Sequence, residues 1–191
     1  MGIRNILGVK DPALKKKSRV VTDFNKRLHV LLDDMRETMV EANGLGLAAP
    51  QVGVLRRVAL IVDLEAVGEM QEGQEGHEER EEREEQIVEL INPEIIAKSG
   101  EQESSEGCLS IPGVYGMVAR PVLVKVRAQD RHGNTFELMR KNLTARVICH
   151  EVDHLNGIVF TSLTDHILTE EELEQMRAES AARDDENGDE S

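Results

Sequence analysis

His150 and His154 flank Glu151 in the pattern H-E-x-x-H, within residues 148–160, I-C-H-E-V-D-H-L-N-G-I-V-F. In a helix residues four apart share a face with Cβ atoms about 5–6 Å from each other, close enough to grip one metal ion. The chain must therefore build a helix here and give its polar face something to hold. Glu151, beside the first histidine, is placed to take a proton from a metal-bound water without being a ligand, the general-base role of this motif. Alone, the pattern also fits a solvated polar face. Leu143, Val147, Ile148 and Leu155 add an apolar side and Asn156-Gly157 stop the helix, so a short buried helix is expected.

A catalytic site of this kind takes three protein ligands and leaves one position for water. The sequence continues as H-E-x-x-H-x-x-G-x-x-F, following the metzincin protease pattern as far as Gly157 and then offering Phe160 in place of a third histidine. Phenylalanine cannot coordinate. Downstream, only Asp165 and His166 remain before an acidic stretch, so an upstream ligand is the alternative. Cys108, in E-G-C-L-S, reads by itself as a buried thiol, and as a candidate ligand beside a metal helix that lacks one.

A chain of 191 residues suits one domain with a sizeable core. No apolar run is long enough to span a membrane, Met1-Gly2-Ile3-Arg4 does not open a signal peptide, and two cysteines are too few for a disulfide framework. We expect a cytoplasmic protein. The net charge of −14 is concentrated: residues 65–85 carry ten Glu against Arg80 and Arg83, and residues 170–191 carry ten acids against Arg177 and Arg183. The remainder is near neutral. Both acidic stretches read as solvated appendages, the first an insertion between strands with an exposed His77, the second a final helix fraying into a disordered tail. Direct nucleic-acid binding is not expected, although Lys15, Lys16, Lys17 and Arg19 leave a weak basic patch. The organisation read from this is a catalytic domain over 1–168, interrupted by the acidic insertion at 65–85, then a C-terminal helix and acidic tail over 169–191.

Residues 3–21 form an irregular lead-in. Thr22-Asp23 cap a helix running to about residue 42, whose Leu28, Leu31, Leu32, Met35 and Met39 recur at three- and four-residue steps. G-L-G-L-A-A-P-Q-V-G, residues 44–53, reads as a strand or loop offering backbone groups and the Gln51 amide. A phosphate loop fails there, since no Lys-Ser/Thr follows the glycines and no strand precedes them. Strands are expected at 58–62, 87–91 and 122–128, with a shorter one near 136–138, and Thr169 with Glu172 forms a capping box for the last helix. That order gives an α+β domain with small antiparallel β-sheets around a central metal-binding helix.

Three motifs in this order, G-L-G-L-A-A-P-Q at 44–51, E-G-C-L-S at 106–110 and H-E-V-D-H at 150–154, resemble those of peptide deformylases. D-P near the start, D-M-x-E-T-M at 34–39, N-P-E-I at 92–95 and H-L-N-G at 154–157 extend the resemblance over most of the chain. It implies a metal-dependent hydrolase that removes the formyl group from the N-terminal formyl-methionine of newly made polypeptides. By resemblance Cys108, His150 and His154 hold the metal, Glu151 is the general base and later proton donor, and Gln51 with the backbone N–H of Leu109 binds the oxyanion. The substrate would lie as an added strand against Leu45, Gly46 and Gly107. Ferrous iron is the implied metal, with zinc or nickel able to occupy the site. The implied partners are formyl-methionyl peptides of nascent chains, met at the ribosome, and a monomer is expected. An H-E-x-x-H metallopeptidase, or a deformylase of another N-formyl substrate, is the alternative. A non-enzymatic metal module is disfavoured by Glu151. Cys149 stands where this family often has glutamine and reads as a passive buried thiol, while Asp153 orients His154 or pairs with Arg120.

Overall fold

In a computed structural model, which describes residues 2–68, 86–176 and 178, the layers follow from hydrophobic periodicity. The strand β2 (Val58–Val62) alternates, with Val58, Leu60 and Val62 on one side and Ala59 and Ile61 on the other. Successive strand residues point to opposite faces, and all five are buried, so both faces of this strand must be covered. One cover is α1 (Lys26–Glu41), which lays its stripe of Leu28, Leu32, Met35 and Met39 against Val58, Leu60 and Val62. The other is α3 (Asn142–Leu155), through Ala145, Ile148, Val152 and Leu155. Burying each such Leu or Ile contributes about 1.5–3 kcal/mol.

Between the two helices runs an antiparallel sheet ordered β1 (Gly46–Ala48), β2, β3 (Ile87–Ser99), β6 (Leu123–Gln129) and β7 (Thr135–Lys141). A second sheet, the hairpin of β4 (Gln102–Cys108) and β5 (Ile111–Arg120), packs Val118 with Leu14, Val159 and Phe160. The histidine helix therefore lies between the large sheet and the hairpin. The α+β expectation is met, with one sheet of five strands instead of small ones throughout.

Several boundaries differ from the sequence reading. The N-cap of α1 is Asn25, whose Oδ1 accepts from the N–H groups of Arg27 at 2.9 Å and Leu28 at 3.3 Å, and not Thr22-Asp23. Asp23 instead accepts from Asn25 Nδ2 at 2.6 Å. Strand β3 continues past residue 91 because Asn92, at φ 52°, absorbs a register shift and lets pairing resume at Glu94 opposite Arg127. The Asn92 amide ties the lead-in to this bulge through the N–H and C=O of Val21, both at 2.8 Å. Strand β4 escaped notice because Q-E-S-S-E-G-C has no apolar alternation. Of the expected insertion, residues 65–68 fall in the short helix α2 (Leu64–Gly68); residues 69–85, with His77, and the tail 179–191 lie outside the described residues. The capping box is present, Thr169 donating its N–H to Glu172 at 2.8 Å and Glu172 returning one to Thr169 Oγ1 at 3.3 Å, ahead of a helix over 170–176. Among the described residues no helix is long and apolar enough to cross a membrane.

Candidate active site

Helix α3 turns His150 and His154 toward the hairpin. Their Nε2 atoms stand 3.1 Å apart, and Cys108 Sγ lies 3.2 Å from His154 Nε2. All three donor atoms fall within 4.8 Å of one another. Cys108 arrives as the last residue of β4, where the ladder to β5 shifts register between Gly107 and Cys108. Phe160, which stands where a metzincin has its third histidine, is buried and stacks on His150 with ring centroids 6.1 Å apart. Asp165 and His166 are exposed, and His166 is bonded to Glu172 at 3.0 Å. The downstream ligand a metallopeptidase would need is absent among the described residues.

A divalent ion fits these donors. Ligands held at about 2.0–2.3 Å around one tetrahedral ion lie roughly 3.4 Å from each other, close to the observed spacings. Two imidazoles and a thiolate suit borderline divalent metals. His150 Nδ1 is committed to Glu106 Oε2 at 3.1 Å, which turns its Nε2 toward the other two donors. Burial opposes a charged His150, but its bonds to Cys108 and Glu106 push its pKa up to about 10. Burial, and then the charge of His150, push His154 down to about 3.

Behind the donors runs a buried ionic chain. Arg120 grips Glu106 with Nε at 2.7 Å and Nη2 at 2.9 Å, and reaches Asp153 with Nη1 at 2.5 Å. Burial alone would raise the pKa of Glu106, yet the hydrogen bonds from Arg120 and His150 hold it down to about 2, so it stays ionised. Asp153 thus pairs with Arg120, one of its two expected partners. Cys149 is buried in the apolar core on the sheet side of α3, and burial pushes its thiol up to about 11.

Glu151 faces away from this chain, toward β1. It is 3% exposed, its Oε2 is buried with no partner, and burial raises its pKa to about 7. A Cβ placed on Gly46 would lie 2.3 Å from Glu151 Oε1, so the carboxylate rests directly on the β1 backbone. Gln51 is fixed at both ends: Oε1 accepts from the Ala48 N–H at 2.8 Å, and Nε2 donates to Ser110 Oγ at 3.2 Å while facing Cys108 Sγ at 3.5 Å. These groups open onto a pocket of about 540 Å³ lined by Leu45, Gly46, Gly107, Leu109, Tyr115 and Val147 among others. Of the nine site residues expected from sequence, eight line it; His154, 1% exposed, is the ninth. Sequence reading passed over Glu106 and Ser110 as partners of His150 and Gln51, although both stand inside E-G-C-L-S.

Residues 3–170 match the polypeptide deformylase family. The peptide deformylase of Caldicellulosiruptor bescii is 48% identical over 178 residues, covering 93% of this chain and 95% of that protein. A crystal structure of a peptide deformylase from Legionella pneumophila aligns with a TM-score of 0.72 at 36% identity, over 94% of this chain and 98% of that one. The Met-Ala-Ser-bound class I type b peptide deformylase from Acinetobacter baumannii aligns with a TM-score of 0.72 at 32% identity, over 85% and 98%. By a match along nearly the whole chain in both sequence and fold, this protein belongs to the polypeptide deformylase family.

Proposed function

We propose that the chain hydrolyses the formyl group from the N-terminal formyl-methionine of nascent polypeptides, with Glu151 moving the protons beside a metal held by Cys108, His150 and His154. The observation that carries this reading is the buried carboxylate of Glu151, with one oxygen unpartnered, next to three converging metal donors. Water and a formamide give formate and a free amine. Glu151 accepts the proton of the attacking water and delivers it to the amine nitrogen as the C–N bond breaks. A base raised to about 7 suits both transfers near neutral pH. A divalent metal, when bound, supplies a water acidified from pKa about 15.7 toward about 7 and polarises the formyl oxygen.

Gln51 Nε2 and the Leu109 N–H donate to the charge developing on that oxygen, each donor of this kind being worth about 3–4 kcal/mol. Gln51 is held by the Ala48 N–H on Oε1 and by its own bond to Ser110, and the Nε2 hydrogen now directed at Cys108 Sγ is the one that turns to the oxyanion. Leu45 and Gly46 at the sheet edge and Gly107 across the pocket bind the peptide backbone as an added strand, which leaves the sequence after methionine free to vary. The Acinetobacter baumannii relative was solved with Met-Ala-Ser bound, which supports a methionyl peptide as the ligand class. Glu106, Arg120 and Asp153 hold His150 in its ligating tautomer and α3 against the hairpin.

We assign ferrous iron as the metal, with zinc or nickel able to take its place, since a Cys/His/His set accepts several divalent ions. Catalysis belongs to residues 1–168 with their acidic insertion, and residues 169–191 are an appendage. The enzyme acts as a cytoplasmic monomer that meets its substrates at the ribosome. The deciding experiment is formate release from formyl-Met-Ala-Ser by wild type and Glu151→Ala at matched metal content. Release by wild type and loss in the variant with metal retained is the expected result. No formate from fully metallated wild type would reject the reading.

A further inference from the structure

The two groups read as oxyanion donors come from separate pieces of backbone. Gln51 belongs to the 3₁₀ turn Ala49–Val52 that follows β1, while Leu109 and Ser110 form the tight turn between β4 and β5, closed by the pairing of Cys108 with Ile111. The lead-in touches both. Its Leu7 N–H donates to the Gln51 carbonyl at 2.8 Å, and its Val9 N–H donates to the Ser110 carbonyl at 3.0 Å. Alternate N–H groups of an extended segment point the same way about 6.6 Å apart, so one short stretch of chain can hold two turns at once. That stretch is itself fixed at each end. Upstream, Gly2 and Arg4 donate their N–H groups to Asp34 Oδ1 and Thr38 Oγ1 of α1, both at 2.9 Å. Downstream, Asp11 donates to the Gly8 carbonyl at 2.9 Å and caps the 3₁₀ turn Pro12–Lys15, whose Leu14 is fully buried with Val118 and Phe160. Gln51 and Leu109 line the pocket, whereas Leu7 and Val9 do not.

We propose that Leu7 and Val9 are positioning residues for the oxyanion site: their N–H groups set the gap between the Gln51 turn and the Leu109–Ser110 turn, and with it the point on which Gln51 Nε2 and the Leu109 N–H converge. The inference rests on reading those two groups as the oxyanion donors. A side-chain bond from Gln51 Nε2 to Ser110 Oγ, at 3.2 Å, also crosses the gap, but it belongs to the amide that has to re-aim a hydrogen from Cys108 Sγ to the oxyanion. The backbone links stay in place while that amide turns. Hydrogen bonds weaken steeply as they bend, so a donor held at the wrong angle gives up stabilisation of the transition state.

The test is kcat and KM for formate release from formyl-Met-Ala-Ser by metal-loaded, full-length wild type, Leu7→Pro, Leu7→Ala, Val9→Pro and Gly8→Pro, with metal content and Tm measured on each preparation. Proline removes the N–H, alanine keeps it, and the Gly8 N–H holds neither carbonyl. Leu7→Pro and Val9→Pro should each lower kcat about tenfold, a part of the roughly 100- to 1,000-fold that a whole oxyanion donor supplies, with KM within about threefold and the metal retained. Leu7→Ala and Gly8→Pro should stay within about threefold of wild type. In a Gln51→Ala background Leu7→Pro should cost less than about threefold further, because the donor it aims is gone; a general loss of structure would cost the full factor again. That full further loss overturns the proposal, as does a kcat in Leu7→Pro within about threefold of wild type, or a fall in Leu7→Ala or Gly8→Pro matching it. If Leu7→Pro does not fold, Val9→Pro decides by the same kcat and KM criterion, and failure of both to fold would show that the two bonds serve stability and overturn the proposal. Metal-loaded wild type that releases no formate overturns the deformylase reading itself, whereas variants compared with an active wild type bear on Leu7 and Val9 alone.

Discussion

One methyl group added at Gly46 should disable catalysis while leaving the protein folded and metallated. An ideal Cβ there lies 2.3 Å from Glu151 Oε1, 2.8 Å from Cδ and 2.9 Å from Cγ. Comfortable contact between such atoms is about 3.5 Å, so the carboxylate is roughly 1 Å too close. The strand cannot retreat easily, because Gly46 is paired with Ile61 of the buried strand β2. Glu151 must turn away within a site where it is only 3% exposed. Misplacing a reacting group by about 1 Å costs on the order of 100-fold, which is about 2.7 kcal/mol of barrier. The assay is kcat for formate release from formyl-Met-Ala-Ser by Gly46→Ala, with metal content and Tm measured on the same preparation. A loss near 100-fold with the metal retained is expected, because the three atoms nearest the new methyl group all belong to Glu151 and none to a metal donor. Adding Glu151→Ala to Gly46→Ala removes the clash, so Tm should recover and activity should fall no lower than in Glu151→Ala alone. A Gly46→Ala enzyme within threefold of wild type would refute the reasoning.

Three further outcomes can be checked. Glu106→Gln keeps the side-chain shape but removes the charge between Arg120 and His150; competition with a metal chelator should show affinity reduced about 10–100-fold, and an unchanged affinity would dismiss Glu106 as a positioning residue. Glu151 has its folded pKa raised from 4.5 to about 7 by burial, so its neutral form is favoured in the fold. That contribution is complete below about 4.5 and is lost as pH rises through about 7; metal-stripped wild type should therefore lose more Tm than metal-stripped Glu151→Gln between pH 5 and pH 8. With its thiol raised to about 11, Cys149 should resist a disulfide reagent at pH 8 until the metal-stripped protein unfolds, whereas Cys108 reacts in the native state; two equally fast thiols would contradict the burial of Cys149.

Much of the architecture was legible because local periodicity reports local geometry. The four-residue spacing of His150 and His154 dictates a helix, the stripe from Leu28 to Met39 dictates an amphipathic one, and the apolar run at Val58–Val62 dictates a strand covered on both faces. The resemblance carried by three separated motifs supplied what spacing could not, namely that Cys108 joins the histidines. Periodicity is silent where stability comes from a partner. The polar strand β4 exists because it pairs along its length with β5, and α1 is capped by Asn25 because that residue lies just ahead of the first buried turn at Leu28. The same holds for the site's polar contacts: Asp153 chooses Arg120, 33 residues away, and Glu106 chooses His150, 44 residues away. Such choices depend on how the hairpin docks on α3, a packing arrangement in which each buried charge must find a partner, and no stretch of sequence taken alone contains that geometry.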